Sequence, residues 1–159
     1  MTIHTTTLAT YTTTVPATPE QLFARWADCD THPEWSTDLA WVRLDEPVRT
    51  GAQGRLRPKG GPRSRFTVTE LVPDRTFADT THLLGARLTF RHHAERVPGG
   101  SEVTVSVTLD GPLRSLWGRV LGGRDAVRLG VEEDLARLGA LLGSTAAASI
   151  ESPEPEVSR

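Results

Sequence analysis

The chain has 159 residues, 37% of them hydrophobic and 24% charged, with a formal net charge of −2. That length suits one domain with a real core and is short for two, and the balanced charge speaks against bulk attraction to nucleic acid or anionic lipid. A single cysteine, Cys29, rules out an internal disulfide.

The first fifteen residues, MTIHTTTLATYTTTV, carry neither a basic segment nor the apolar core of a secretory signal. No apolar run approaches the roughly 18 residues that span a bilayer. A cytoplasmic protein without a membrane span is therefore expected. Residues 4–15 are rich in threonine, with Leu8, Tyr11 and Val15 interspersed, and read as a strand ending at Pro16. In ATPEQLFARWADCDTHPEWS, Thr18 can cap a helix, with Pro19 at its first position and Gln21 three residues after the cap. Leu22, Phe23 and Trp26 then share one face. Thr31 and Glu34 repeat the capping pattern, so a second short helix carrying Trp35 is expected.

Residues 39–110 read as an antiparallel meander with strands near 39–45, 53–59, 64–72, 75–83, 86–97 and 102–110. Turns containing Gly or Pro (EPVRTG, KGGP, VPD, PGGS) separate most of them. The last strand alternates, with Val103, Val105, Val107 and Leu109 on one face, as a sheet with one wet face requires. From Pro112 to about Leu142 apolar residues recur at helical spacing, and Gly122 and Gly123 can kink that helix. The remainder, 144–159, is polar and proline-bearing, and its composition predicts a disordered tail after a domain spanning 1–143.

This order of elements, carried by VPATPEQLFARWADCDTHPEW, FTVTELVPDRTF, GARLTFRHHAE with PGGSEVTVSVTLDGPL, and the glycine-interrupted C-terminal helix, resembles the helix-grip superfamily of START-like and Bet v 1-like (SRPBCC) domains. It is most similar to the polyketide cyclase/dehydrase-like branch, over about residues 5–142. The resemblance implies an α+β fold. A curved antiparallel sheet of about seven strands wraps a long C-terminal helix, with two short helices after the first strand. It also implies an internal cavity for an apolar small molecule. Members include aromatase/cyclases, lipid carriers and sensors, and a shared fold does not choose among them. The tetracenomycin-type aromatase/cyclases use arginine, tyrosine and hydroxyl side chains in the cavity; this chain has one tyrosine, Tyr11.

The candidate site residues follow from strand alternation. In LTFRHHAE, Leu88, Phe90, His92 and Ala94 share a face, so His92 should point inward and His93 outward. The resemblance agrees, since a histidine is common where His92 stands. An interior imidazole is either a general acid/base or a structural hydrogen-bonding group. Asp79 shares a face with Phe77 and would point inward if Phe77 does, either pairing with His92 or an arginine or lying at the sheet rim in water. Arg124 falls on the apolar stripe of the long helix, where it would bind a ligand oxygen, or it snorkels to solvent past the kink. His92, Asp79 and Arg124 are thus the catalytic candidates. Trp26, Trp35, Phe66, Phe77, Phe90, Trp117 and Val127 are the candidates for ligand contact, with plain core packing the alternative.

The basic stretch from Arg49 to Arg65 is either a solvated hairpin or a docking surface for an acidic partner such as an acyl carrier protein. It lacks the interleaved aromatics of a nucleic-acid surface. The five histidines show no metal-ligand spacing, and no cofactor motif is present. Cys29, between Asp28 and Asp30, should have a raised thiol pKa. The expected function is binding of a hydrophobic, polyketide-like or aromatic molecule, with cyclisation or dehydration of it. A carrier, sensor or protective binder without turnover is the alternative.

Overall fold

In the computed structural model the described residues are 4–150, with side chains described for 4–143. Strand β1 (Thr5–Val15) is followed by helix α1 (Pro19–Ala27) and a 3₁₀ turn (Cys29–Glu34). Six strands come next: β2 (Leu39–Leu44), β3 (Gln53–Pro58), β4 (Ser64–Val72), β5 (Thr76–Leu83), β6 (Ala86–Val97) and β7 (Gly100–Asp110). Helices α2 (Arg114–Val120) and α3 (Gly123–Ile150) are the last elements of the described residues. The strands form one antiparallel sheet in the order β1-β7-β6-β5-β4-β3-β2, so that the first strand closes back beside the last. This is the helix-grip arrangement expected from the sequence.

The capping box on α1 forms as expected: the Thr18 hydroxyl accepts from Gln21 N at 3.1 Å and Gln21 Oε1 accepts from Thr18 N at 2.9 Å. The second capping pattern does not. Thr31 Oγ1 donates to the Asp28 carbonyl at 2.8 Å instead of capping, and Pro33 stands inside the segment. The segment therefore winds as a short 3₁₀ turn rather than an α-helix. Asp30 serves the sheet edge, where its Oδ1 accepts from Leu44 N at 2.9 Å.

The inner face of the sheet is built from alternate residues. Phe66, Val68, Phe77, Leu88, Ala94, Val103, Val105, Val107 and Leu109 are all buried. A bulge between Thr7 and Ala9 leaves Leu8 without a partner in the register, and Leu8 and Ala9 are both buried. The α1 end is fastened to the sheet twice. Ser101 Oγ donates to the Ala17 carbonyl at 2.7 Å, and Arg96 Nη2 contacts both carboxylate oxygens of Glu20 at 2.7 Å. Gly54 is required beneath Phe66: a Cβ there would lie 2.6 Å from the ring and 2.5 Å from the Arg43 carbonyl oxygen.

The expected kink is a full break. Gly122 and Gly123 both adopt positive φ, 91° and 85°, which stops α2 and starts α3 in a new direction. Helix α3 then packs along β1, with Val131, Leu135, Leu138 and Leu142 buried at successive turns. Of the expected tail, 144–150 continue the backbone of α3 and 151–159 lie outside the described residues. Among the described residues no helix is long and apolar enough to cross a membrane.

The orientation of α3 can be tested with two leucines. Leu138→Ala should lower stability by about 2–5 kcal/mol, because its side chain is fully buried. Leu129→Ala, on the exposed face, should change it by less than about 0.5 kcal/mol. Urea denaturation of both variants checks this, and equal effects would mean that α3 presents a different face to the sheet.

Candidate functional site

Strand alternation decides the two adjacent histidines as expected. His92 is buried on the inner face, opposite Phe77 of β5 and Val105 of β7. His93 is on the outer face, where its Nε2–H donates to Glu95 Oε1 at 2.8 Å and its Nδ1 lies 2.7 Å from the Thr76 hydroxyl.

His92 sits in a nest of rings. Its centroid is 5.2 Å from Trp26 of α1, 6.0 Å from Trp35 and 6.4 Å from Phe77. His32, from the 3₁₀ turn, completes the nest at 4.9 Å from Trp35 and 5.9 Å from Phe77. Its Nε2–H donates to the Trp26 carbonyl at 2.7 Å. That bond joins the turn to the end of α1 and leaves Nδ1 as the acceptor nitrogen of the neutral ring. Both imidazoles are held neutral. Burial lowers the pKa of His92 to about 3, with His32 adding to the effect and a backbone hydrogen bond at Phe77 opposing it. Burial lowers that of His32 to about 4.

Three buried nitrogens of this nest find no hydrogen-bond partner among the described residues: Nε1 of Trp26, Nε1 of Trp35 and Nδ1 of His92. Leaving a buried polar group unsatisfied costs about 1–3 kcal/mol. Three on rings packed around one imidazole make a concentrated unmet demand for hydrogen bonds.

Asp79 also lies on the inner face, opposite Phe90 of β6 and Val68 of β4. Burial raises its pKa to about 7, yet Asp79 and Phe90 are only half-buried, as is Tyr11 of β1. The middle of the inner face is thus less tightly covered than the His92 end. The anticipated His92–Asp79 couple is not made: the two are diagonal neighbours on adjacent strands, and no hydrogen bond joins them among the described contacts. Asp79 instead acts electrostatically on Cys29. The thiol is pushed up to about 12, first by burial and then by the charges of Asp79, Asp30 and Asp28.

Arg124 does not face this interior. It is exposed and lines, with Arg114 and Arg119, a groove beside Thr6 and Leu8 of β1. The glycine break resets the helical phase on which its inward assignment depended. Trp117 is half-buried, and its indole N–H donates to the Leu84 carbonyl at 2.8 Å, which anchors α2 to the β5–β6 turn. Val127 is half-buried against the core, and Phe66 is fully buried in it. The structure therefore brings Trp26, Trp35, Phe77 and His92 together, with Asp79 and Phe90 beside them, and leaves Arg124 and Trp117 elsewhere.

His32 was missed by sequence reasoning. A histidine six residues after a buried tryptophan in a Pro-containing turn has no periodicity to mark it. Asp134 of α3 was missed too: its carboxylate accepts from Ser36 Oγ at 2.9 Å and its pKa is raised to about 7, mainly by burial. No group of side chains that could hold a metal ion occurs among the described residues.

Comparison with solved structures places the fold among known ones. Ara h 8.0201 superposes with a TM-score of 0.64 at 18% identity, covering 90% of this chain and 99% of that one. Protein NE0264 from Nitrosomonas europaea gives 0.65 at 12% identity, covering 87% and 96%. The di-domain ARO/CYC StfQ from the steffimycin biosynthetic pathway gives 0.66 at 14% identity, covering 87% of this chain and 52% of that one. No curated protein matches the sequence. The sequence profile of the family described as polyketide cyclase / dehydrase and lipid transport matches residues 6–143. With the same fold and that match over most of its length, the chain belongs to the polyketide cyclase / dehydrase and lipid transport family.

Proposed function

We propose that the chain binds an apolar, polyketide-like or aromatic molecule between the concave sheet and α3, in the cytoplasm, and promotes its cyclisation with loss of water. The observation that carries this reading is the trio of unpartnered buried nitrogens on Trp26, Trp35 and His92, beside a carboxyl whose pKa is about 7. Flat rings offer stacking surface to an aromatic ligand. The indole N–H groups suit a ligand carbonyl or enolate oxygen.

The roles differ from those expected of the sequence. An imidazole with a pKa near 3 is a weak base at neutral pH, so His92 positions a ligand oxygen as a neutral hydrogen-bonding group. Asp79 is matched to proton transfer, since a group with a pKa near the working pH serves as both base and acid. Its carboxylate takes a proton from a carbon between two carbonyls, and the resulting enolate carbon attacks a second carbonyl of the folded chain. Asp79 returns that proton to the alkoxide so formed, then takes the second proton from the same carbon and passes it to the hydroxyl, which leaves as water as the carbon–carbon double bond forms. Holding a flexible chain in the reactive fold supplies a further part of the acceleration.

Delivery of substrate by an acidic acyl carrier protein fits the hairpin around β3 in part. Arg49 pairs with Glu46 and Arg55 with Asp45, while Arg57, Lys59, Arg63 and Arg65 remain exposed without an acidic partner among the described ion pairs. A carrier without turnover is the second reading. It is favoured by the absence of a His92–Asp79 hydrogen bond and needs only the rings and the space.

Incubation of the protein with poly-β-ketone and hydroxylated aromatic ligands, followed by native mass spectrometry, separates the two. The catalytic reading expects a product lighter by one water, whereas a ligand returned unchanged supports the carrier. With turnover, Asp79→Asn should lower kcat by about 100-fold or more with little change in KM. His92→Gln should chiefly weaken binding, read as reduced quenching of tryptophan fluorescence. A His92→Gln variant that loses kcat and keeps KM would return the proton-transfer role to His92.

The Asp79 environment has its own signature in stability. A carboxyl whose folded pKa is raised favours folding below the unfolded value near 4, and that contribution is lost as pH rises through about 7. The advantage of Asp79→Asn over the parent chain in urea midpoint should therefore grow between pH 5 and pH 8. A difference that is constant with pH would place the carboxyl in open water.

A further inference from the structure

The net charge of the chain is −2, but the charges around the α2–α3 break are predominantly positive. Between residues 111 and 131 there are four arginines and one acid, Asp125. Arg128 is engaged by Glu132 at 3.1 Å. Arg114, Arg119 and Arg124 line one groove of about 210 Å³, floored by Leu8 and Gly118, and none of the three makes an ion pair among the described residues. The groove exists because the two positive-φ glycines turn the chain sharply there and bring Arg119 of α2 beside Arg124 of α3.

The same region carries three of the four most exposed large aliphatic side chains among the described residues. Leu84 at the β5–β6 turn is 81% exposed, Val120 64% and Leu116 53%. Leu116 and Val120 are one turn apart on α2, and the neighbouring Trp117 ties that helix to Leu84 O. A short helix thus turns an apolar edge outward next to three uncompensated guanidinium groups.

We infer that α2, the β5–β6 turn and the Arg114–Arg119–Arg124 groove form a docking surface for an anionic lipid bilayer. The guanidiniums would meet lipid phosphates while Leu84, Leu116 and Val120 enter the boundary between headgroups and acyl chains. Charge complementarity and protruding aliphatics together favour a bilayer over a soluble anion, which would leave the leucines in water. This surface goes beyond the interior site and does not depend on any ligand being bound there.

The test is co-sedimentation of the full chain with vesicles of phosphatidylcholine alone and of phosphatidylcholine mixed with phosphatidylglycerol, at low and high salt. Binding is expected to the mixed vesicles only and to fall at high salt. R119S/R124S should weaken it by about 30-fold, from about fivefold per arginine, and L116S/V120S should weaken it as well. All four positions are exposed, so the fold, checked by circular dichroism, should be retained. Failure of the parent chain to bind mixed vesicles at low salt overturns the proposal. So does binding indifferent to both double variants, or a stable dimer that hides the leucines and ignores vesicles. Ligand quenching of the interior tryptophans should be unchanged in R119S/R124S, so failure of one reading leaves the other standing.

Discussion

One open sheet with one apolar concave face has to be covered, and the remaining elements are arranged by that need. The cover comes in two pieces from opposite ends of the chain. Helix α1 and the 3₁₀ turn close one end with Leu22, Trp26, His32 and Trp35, all buried. Helix α3 lies along β1 with its Val131–Leu142 stripe. Neither piece fully seals the middle of the face, where Asp79, Phe90 and Tyr11 keep part of their surface accessible. The candidate site therefore follows from how the sheet is covered, with Asp79 in the less covered middle and His92 at the closed end.

Two kinds of titratable group lie along this face, His92 and His32 at the closed end and Asp79 in the middle. Imidazoles are driven neutral and a carboxyl is driven toward its protonated form by the same lack of water. A neutral interior can accept an apolar molecule without separating buried ion pairs, and it still offers N–H donors and a proton-carrying carboxyl. The rings of Trp26 and Trp35 add shape, since each is fixed by packing rather than by a bond from its own nitrogen.

Much of the fold was legible in the sequence because its signals are local. Alternation in EVTVSVTLD, the Gly- and Pro-bearing turns, and the Thr18–Gln21 box each need only a few neighbouring residues, and each forms as read. The inward His92 was legible for the same reason. What was not legible depended on contacts between distant segments or on a change of phase. Whether Asp79 meets His92 is decided by strand stagger, which places Phe77 rather than Asp79 opposite the imidazole. Arg124 lies past two glycines that reset the helix, so its position on a continuous helical stripe did not apply. The Thr31–Glu34 pattern was outcompeted by Pro33 and by the Asp28 carbonyl. His32 acquires its role only when the turn folds back onto the Trp26 carbonyl.

Four titratable groups with strongly shifted pKa values fall into two opposed pairs, and this has a calorimetric consequence. Near pH 5 the unfolded chain would carry protons on His32 and His92 and none on Asp79 and Asp134, while the folded chain has the reverse distribution. For these four groups, unfolding therefore passes two protons from carboxyls to imidazoles with almost no net exchange with solvent. The heat of unfolding in that range should depend little on the ionisation enthalpy of the buffer, even though four interior groups change state.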